Sequence, residues 1–138
     1  MENERTTKYT QAVTLYLNEV GHATNNQILS YLQLSYPHLS ATTVHRITAR
    51  MVNRREIGIA PSGKDNTMRF DSNIKPHDHF QCMHCDRLRD IDLPKEILNF
   101  VQEKLGNCKI DGRLQIQGSC SKCLHDPKHS LMSSNTYK

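Results

Sequence analysis

Tryptophan is absent from this 138-residue chain, and only 36% of its residues are hydrophobic. So little apolar mass argues against one large core, and the length suits one ordinary domain or two small ones. Two small domains would each bury little surface and would draw stability from a metal or a partner subunit. No apolar run approaches the ~20 residues that span a bilayer, so no membrane segment is expected. The first residues, Met1 to Lys8, are polar and of mixed charge, which argues against a Sec-type leader and for a cytoplasmic location. No acidic residue interrupts positions 40–55, which hold Arg46, Arg50, Arg54 and Arg55 before Glu56 closes the run. The formal net charge of +4 is too modest to identify a nucleic-acid binder. A local basic stripe is the footprint expected for phosphate contact, although alone it is equally a solvated helix face.

Cysteine is scarce but organised. Four of the five form two pairs, Cys82-Met-His-Cys85 and Cys120-Ser-Lys-Cys123, with residues 86–119 between them. Each Cys-x-x-Cys turns two thiolates toward one point, and two such turns supply the tetrahedral all-sulfur shell of structural zinc. The spacing exceeds the roughly 15–20 residues of a zinc ribbon, so the metal would clasp a small domain holding a helix and strands. Paired disulfides or a redox Cys-x-x-Cys are weaker readings, because neither an oxidising compartment nor a thioredoxin-like turn is indicated. Cys108 reads as a small buried hydrophobe.

Residues 7–20 read as a helix grouping Val13, Leu15, Leu17 and Val20, with Gly21 as its stop. Thr24-Asn-Asn-Gln27 has the form of a capping box and opens a helix carrying Ile28, Leu29 and Leu32, with Pro37 as the next break. Ser40 caps a third helix whose Val44, Ile47, Met51 and Val52 share one face, while Arg46, Arg50 and Arg54 recur every four residues on another. This is the helix-turn-helix pattern. Strand-like runs at Ile57–Ala60 and Met68–Phe70 flank a turn-rich segment with Lys64 at its tip, so the unit is a winged helix. The pattern changes around Asp71–Pro76. Short strands are expected at Asp78–Gln81 and Leu88–Ile91. A helix from Pro94 to Leu105 would present Ile97, Leu98, Val101 and Leu105 as its apolar side, and a strand would follow over Lys109–Gln117. The expected class is α+β, with a winged-helix DNA-binding domain over 1–72 and a small α/β domain over 73–124. The polar residues 125–138 would form a frayed tail.

A second cluster, Asp71 followed by His77-Asp-His79, is less specific. Histidines at i and i+2 of a strand point to one face, and a His/carboxylate shell suits Fe(II), Mn(II) or Zn(II). Taken alone, the pair reads first as ordinary polar strand histidines.

Together these features resemble the ferric uptake regulator superfamily. The resemblance rests on Ser40-Ala-Thr-Thr-Val-His-Arg46, a wing closing on Arg69-Phe-Asp71, and His77-Asp-His79-Phe-Gln-Cys82-Met-His-Cys85, followed by Gly112-Arg-Leu-Gln-Ile-Gln-Gly118-Ser-Cys120-Ser-Lys-Cys123. It spans about residues 7–124. It implies a dimeric, metal-responsive repressor that binds an operator in double-stranded DNA, with a C-terminal dimerisation domain holding zinc on Cys82, Cys85, Cys120 and Cys123. It further implies a regulatory site at the hinge for Fe(II) or Mn(II), formed by His22, Asp71, His77, His79 and Asp90. Aspartate at the fifth position resembles the peroxide-sensing branch, in which peroxide reacts at iron, a ligand histidine is oxidised and DNA is released; His22 and His77 fall at the oxidised positions. Iron- or zinc-responsive repressors are the alternatives within the family. The DNA surface would comprise Thr42, Thr43, His45, Arg46, Arg50, Arg54 and Lys64.

Several positions depart from the family pattern. His45 stands where the recognition helix usually carries tyrosine, so base preference would differ. Pro76 stands where an additional metal site needs histidine, and Asp111-Gly112 replaces a second one, so that site is not expected. His84, Cys108, His125 and His129 match no ligand position. Outside the family, a metal-dependent hydrolase would leave the winged helix and basic face without a role, and a zinc-stabilised protein adaptor would show no salt-dependent DNA affinity.

Overall fold

A computed structural model describes residues 4–110 and 113–126. The chain parts into two compact units between Ile74 and Lys75; the sequence reading placed the division after residue 72.

The first unit runs α1 (Glu4–Val20), β1 (His22–Thr24), α2 (Asn25–Leu32), α3 (Ala41–Asn53), β2 (Gly58–Ala60) and β3 (Arg69–Asp71). Helix α1 buries Val13 and Leu17, one turn apart, with Tyr9, Ala12 and Tyr16 packed beside them. Leu15 and Val20, expected on the same face, are exposed. Leu15 lies two residues, or about 200° of helix rotation, from Leu17 and so points away from the core. Gly21 then adopts φ +84°, a left-handed conformation open to glycine, and turns the chain directly into β1.

The expected capping box forms in full. Thr24 Oγ1 accepts from the Gln27 amide at 3.2 Å, and Gln27 Oε1 accepts from the Thr24 amide at 2.9 Å. Helix α2 ends at Leu32, short of the Pro37 break. Ser40 caps α3 by accepting from the Thr43 amide at 3.2 Å, and the helix buries Val44, Ile47, Thr48 and Met51, with Val52 partly covered. Arg54 is the C-cap rather than a third member of the helical arginine row. Strand β3 lies between β1 and β2, antiparallel to both, and carries Phe70 into the core. Strand β1 was not foreseen, because His-Ala-Thr is too short to show alternation. The wing is braced from within. Buried Arg69 donates from Nε to the Pro61 carbonyl at 3.0 Å and from Nη2 to the Ser62 carbonyl at 3.2 Å. Replacing Leu17, which is fully buried, with Ala should lower stability by about 2–5 kcal/mol, read as a lower urea midpoint for the first unit.

The second unit contains β4 (Asp78–Cys82), β5 (Leu88–Ile91), α4 (Lys95–Leu105), β6 (Gln115–Gly118) and α5 (Ser121–His125). Central β4 pairs antiparallel with β5 and parallel with β6, the parallel pairing requiring the long crossover that β5 and α4 provide. Buried Asp78 fastens three segments: Oδ2 accepts from the Leu93 amide at 3.1 Å and Oδ1 from the Leu114 amide at 3.0 Å, with Arg113 Nε 3.8 Å away. Burial alone would raise the Asp78 pKa, but those amides and Arg113 hold it below the usual carboxylate range.

The last strand covers Gln115–Gly118 rather than 109–117, because the pairing partner β4 begins only at Asp78 and its ladder with β6 starts at His79. Residues 111–112 of that expected strand lie outside the described residues. Pro94 precedes α4 as its N-cap, and Gly106 stops the helix at φ +63°. None of α4's residues is buried within the chain, and Ile97, Phe100 and Leu105 stand exposed. Cys108, expected to be buried, is exposed just past that stop. The five-residue α5 was not foreseen; one turn gives no periodicity. Of the expected tail, residues 127–138 lie outside the described residues. Among the described residues no helix is long and apolar enough to cross a membrane.

Candidate metal centres and nucleic-acid interface

The second unit draws all four motif cysteines together. Cys82 ends β4, Cys85 closes the turn after it, Cys120 follows β6, and Cys123 lies on α5. None is in a disulfide, and the four Sγ atoms lie within 4.8 Å of one another. Cys82 and Cys123 sulfurs are 3.7 Å apart, and Cys85 and Cys120 sulfurs 3.8 Å. Tetrahedral zinc with bonds of ~2.3 Å sets its sulfurs about 3.8 Å apart, so the donor set fits zinc in chemistry and in spacing.

The knuckle is shaped by hydrogen bonds. Asp86 takes φ +63°, its amide donates to the Cys82 carbonyl at 2.9 Å, and its Oδ1 accepts from Gln81 Nε2 at 2.7 Å. Gln81 Oε1 in turn accepts from Gln115 Nε2 at 2.7 Å, tying the knuckle to β6. Burial works to raise the Cys82 pKa, but the amides of Cys85, Cys120 and His84 directed at its sulfur bring it down to about 6. Burial and the neighbouring thiols push Cys123 up to about 12, and burial raises Cys85. A knuckle that already favours one thiolate is poised for a cation.

The remaining candidate ligands form one group in each unit. In the first, antiparallel pairing of β1 with β3 sets His22 opposite Asp71, with His22 Nε2 3.5 Å from Asp71 Oδ2. Asp71 is buried, and its Oδ1 accepts from the Asn73 amide at 2.9 Å. In the second, His79 pairs with Asp90 across β4 and β5. Asp90 Oδ1 lies 3.2 Å from both His77 Nε2 and His79 Nε2. His77 Nδ1 is 2.6 Å from the Lys75 carbonyl, to which it donates, leaving Nε2 as the ligand atom. Imidazole nitrogens with carboxylate oxygens suit Fe(II), Mn(II) or Zn(II).

Thr42, His45, Arg46 and Arg50 are exposed on α3, whereas Thr43 is half-buried with its Oγ1 2.9 Å from Ser40 Oγ. Lys64 lies in the wing turn, where the Gly63 amide donates to the Thr67 carbonyl at 3.0 Å. A groove of about 680 Å³ beside α3 adds Tyr9, Tyr36 and His38 to Arg46 and Arg50. His84 and His125 fall in neither ligand group, and His129 lies outside the described residues.

The ferric uptake regulator family model matches residues 2–115. A curated relative, the peroxide operon regulator of Bacillus subtilis, is 28% identical over 91% of this chain and 88% of its own length. Among solved structures, the Helicobacter pylori ferric uptake regulator, which has three functional metal-binding sites, aligns with a TM-score of 0.72 at 20% identity, covering 90% of this chain and 83% of that one. The Campylobacter jejuni peroxide stress regulator aligns at 0.68 and 18% identity, covering 86% and 91%. With that match, the winged helix and the four-cysteine cluster, the chain belongs to the ferric uptake regulator family.

Proposed function

We propose that this chain is a metal-dependent, DNA-binding repressor that responds to peroxide and acts in the cytoplasm as a regulator, not an enzyme. The carrying observation is the matched pair of half-sites, His22 with Asp71 and His77 with His79 and Asp90. Asp71 and His77 are six residues apart in sequence, a span of at most ~20 Å, so the connection permits one ion to be shared by all five. Ligation by both groups would fix the orientation of the winged helix, and in a two-fold dimer that orientation sets the spacing of the recognition helices on DNA. Fe(II) held there would supply the electrons that reduce peroxide, which Mn(II) would not. Asp90 at the fifth position and the likeness to a peroxide operon regulator support peroxide over iron as the signal.

A homodimer is supported by the exposed apolar residues Ile97, Phe100 and Leu105 on α4 and Ile116 on β6, all in the zinc-clasped unit. An all-thiol zinc site also suits a reducing compartment. On DNA, Thr42, Thr43, His45 and Arg46 would face the major groove, with Arg50, Arg54 and Lys64 on phosphates. The test is binding by zinc-loaded protein to duplexes selected from a randomised pool, with and without added Mn(II). Tight binding is expected only with Mn(II). Arg50→Ala should weaken binding to every sequence and reduce the salt slope by about one. A changed sequence preference with an unaltered slope would place Arg50 on bases.

A further inference from the structure

His45 does not stand alone on the recognition helix. Asn25, the first residue of α2, places Nδ2 3.4 Å from His45 Nδ1. Its other amide atom, Oδ1, accepts from Thr48 Oγ1 at 2.8 Å. Thr48 is buried, and its hydroxyl also lies 3.1 Å from the Val44 carbonyl and 3.2 Å from that of His45; the contact with Asn25 is the shortest of the three. The chain thus links α2 and α3 through side chains on the outer edge of the core.

The chemistry of this chain has a direction. Thr48 has one hydroxyl proton and three acceptors in reach; donation to Oδ1, the shortest contact, leaves the NH2 end of the Asn25 amide facing His45. An amide donor opposite Nδ1 pairs with the tautomer in which Nδ1 carries no proton. The ring proton then sits on Nε2, at the far side of the ring. We infer that Asn25, held by Thr48, is a specificity-positioning residue: it sets the orientation and tautomer of His45, so that the imidazole offers an N–H donor to an acceptor in the major groove. The acceptors there are guanine N7 and O6, adenine N7 and thymine O4, whereas cytosine offers only its amino donor. His45 therefore discriminates against cytosine at the base it faces. A tyrosine at that position would carry its hydroxyl farther out and would make no use of the Asn25 amide.

This inference rests on the reading that α3 enters the major groove, and the experiment separates the two. Full-length, zinc- and Mn(II)-loaded dimers of wild type, His45→Ala, Asn25→Ala, Asn25→Asp, Thr48→Val and Thr48→Ser would be profiled on the same randomised duplex pool. Mn(II) affinity and the salt slope would be measured in parallel. His45→Ala should flatten the preference at one base position per half-site. Asn25→Ala and Thr48→Val should flatten that same position about 5–10-fold and leave the salt slope and Mn(II) affinity unchanged. Thr48→Ser, which keeps the hydroxyl, should restore it. At alkaline pH, where the ring stays neutral, Asn25→Asp removes the donor and favours a proton on Nδ1, leaving Nε2 as an acceptor, so cytosine should gain at that position. If His45→Ala changes no base preference, the placement of α3 fails and this inference with it. If His45→Ala flattens a position that Asn25→Ala and Asn25→Asp leave alone, the positioning role alone is overturned. Uniform loss on all sequences for Asn25→Ala overturns it as well, since that outcome marks Asn25 as a purely structural contact.

Discussion

Replacing Cys120 with Ser is expected to remove zinc and unfold the second unit, and to abolish dimer formation. The sulfur positions leave little alternative support. Among the described residues of this unit, the largest fully buried side chains are Asp78 and Cys82, and the hydrophobic core cluster lies wholly in the first unit. The metal therefore takes the place of a core, and structural zinc contributes about 10–16 kcal/mol of apparent binding free energy in small zinc domains. Zinc content by mass spectrometry, far-UV circular dichroism and sedimentation should change together, and a folded, dimeric, zinc-free variant would refute the assignment. The protonation pattern adds a pH dependence. In the metal-free knuckle Cys82 is lowered to about 6, whereas Cys85 is raised and Cys123 is raised to about 12. Zinc must therefore displace protons from the raised thiols, and calorimetry in buffers of different ionisation enthalpy should register their release. The Cys82 contribution is fully present above its unfolded pKa and disappears as pH falls through about 6. Zinc affinity should accordingly weaken as pH falls, because each ligating thiol must give up its proton to bind.

Much of this architecture was legible because it is written in local chemistry. Thr24 and Ser40 marked two helix starts, since each supplies a side-chain oxygen to an amide left open by the first turn. The cysteine pairs marked the zinc site because two-residue spacing constrains where two sulfurs can point. What escaped depends on partners distant in sequence. The strand at His22–Thr24 exists because β3 offers an edge 49 residues later, at the His22–Asp71 pairing. The helix over Lys95–Leu105 reads as having an apolar side, yet Ile97 and Leu105 stand exposed while Leu98 and Val101 are half-buried, because periodicity reports a face and not what meets it. Cys108 was misplaced because its residue type suggested a core that the second unit does not build there. Asn25 carried no sequence signal beyond its place in a capping box; only the fold sets it beside His45 and Thr48.

His77→Ala should leave zinc content and the dimer unchanged yet remove the response of DNA binding to Mn(II), a loss of about 5–150-fold for a coupling of this kind. Asp90 Oδ1 is 3.2 Å from the Nε2 atoms of both His77 and His79. Those imidazoles would form one donor set on the zinc-bearing unit, whereas His22 and Asp71 belong to the winged helix. Removing one donor weakens the grip of the second unit on the ion, and an ion held by one unit alone cannot couple occupancy to domain orientation. Cys82 and the knuckle amides are untouched by the change, so zinc serves as the internal control. Peroxide separates the remaining readings. With Fe(II) bound, peroxide should add one oxygen atom to His22 or His77 and release the protein from DNA, while the Mn(II) form should stay unmodified and bound. Tryptic mass spectrometry locates the oxygen, and anisotropy on the selected duplex reports release. If the Fe(II) protein keeps both histidines unmodified and stays on DNA after peroxide, the signal is the metal itself, and Asp90 does not mark a peroxide sensor.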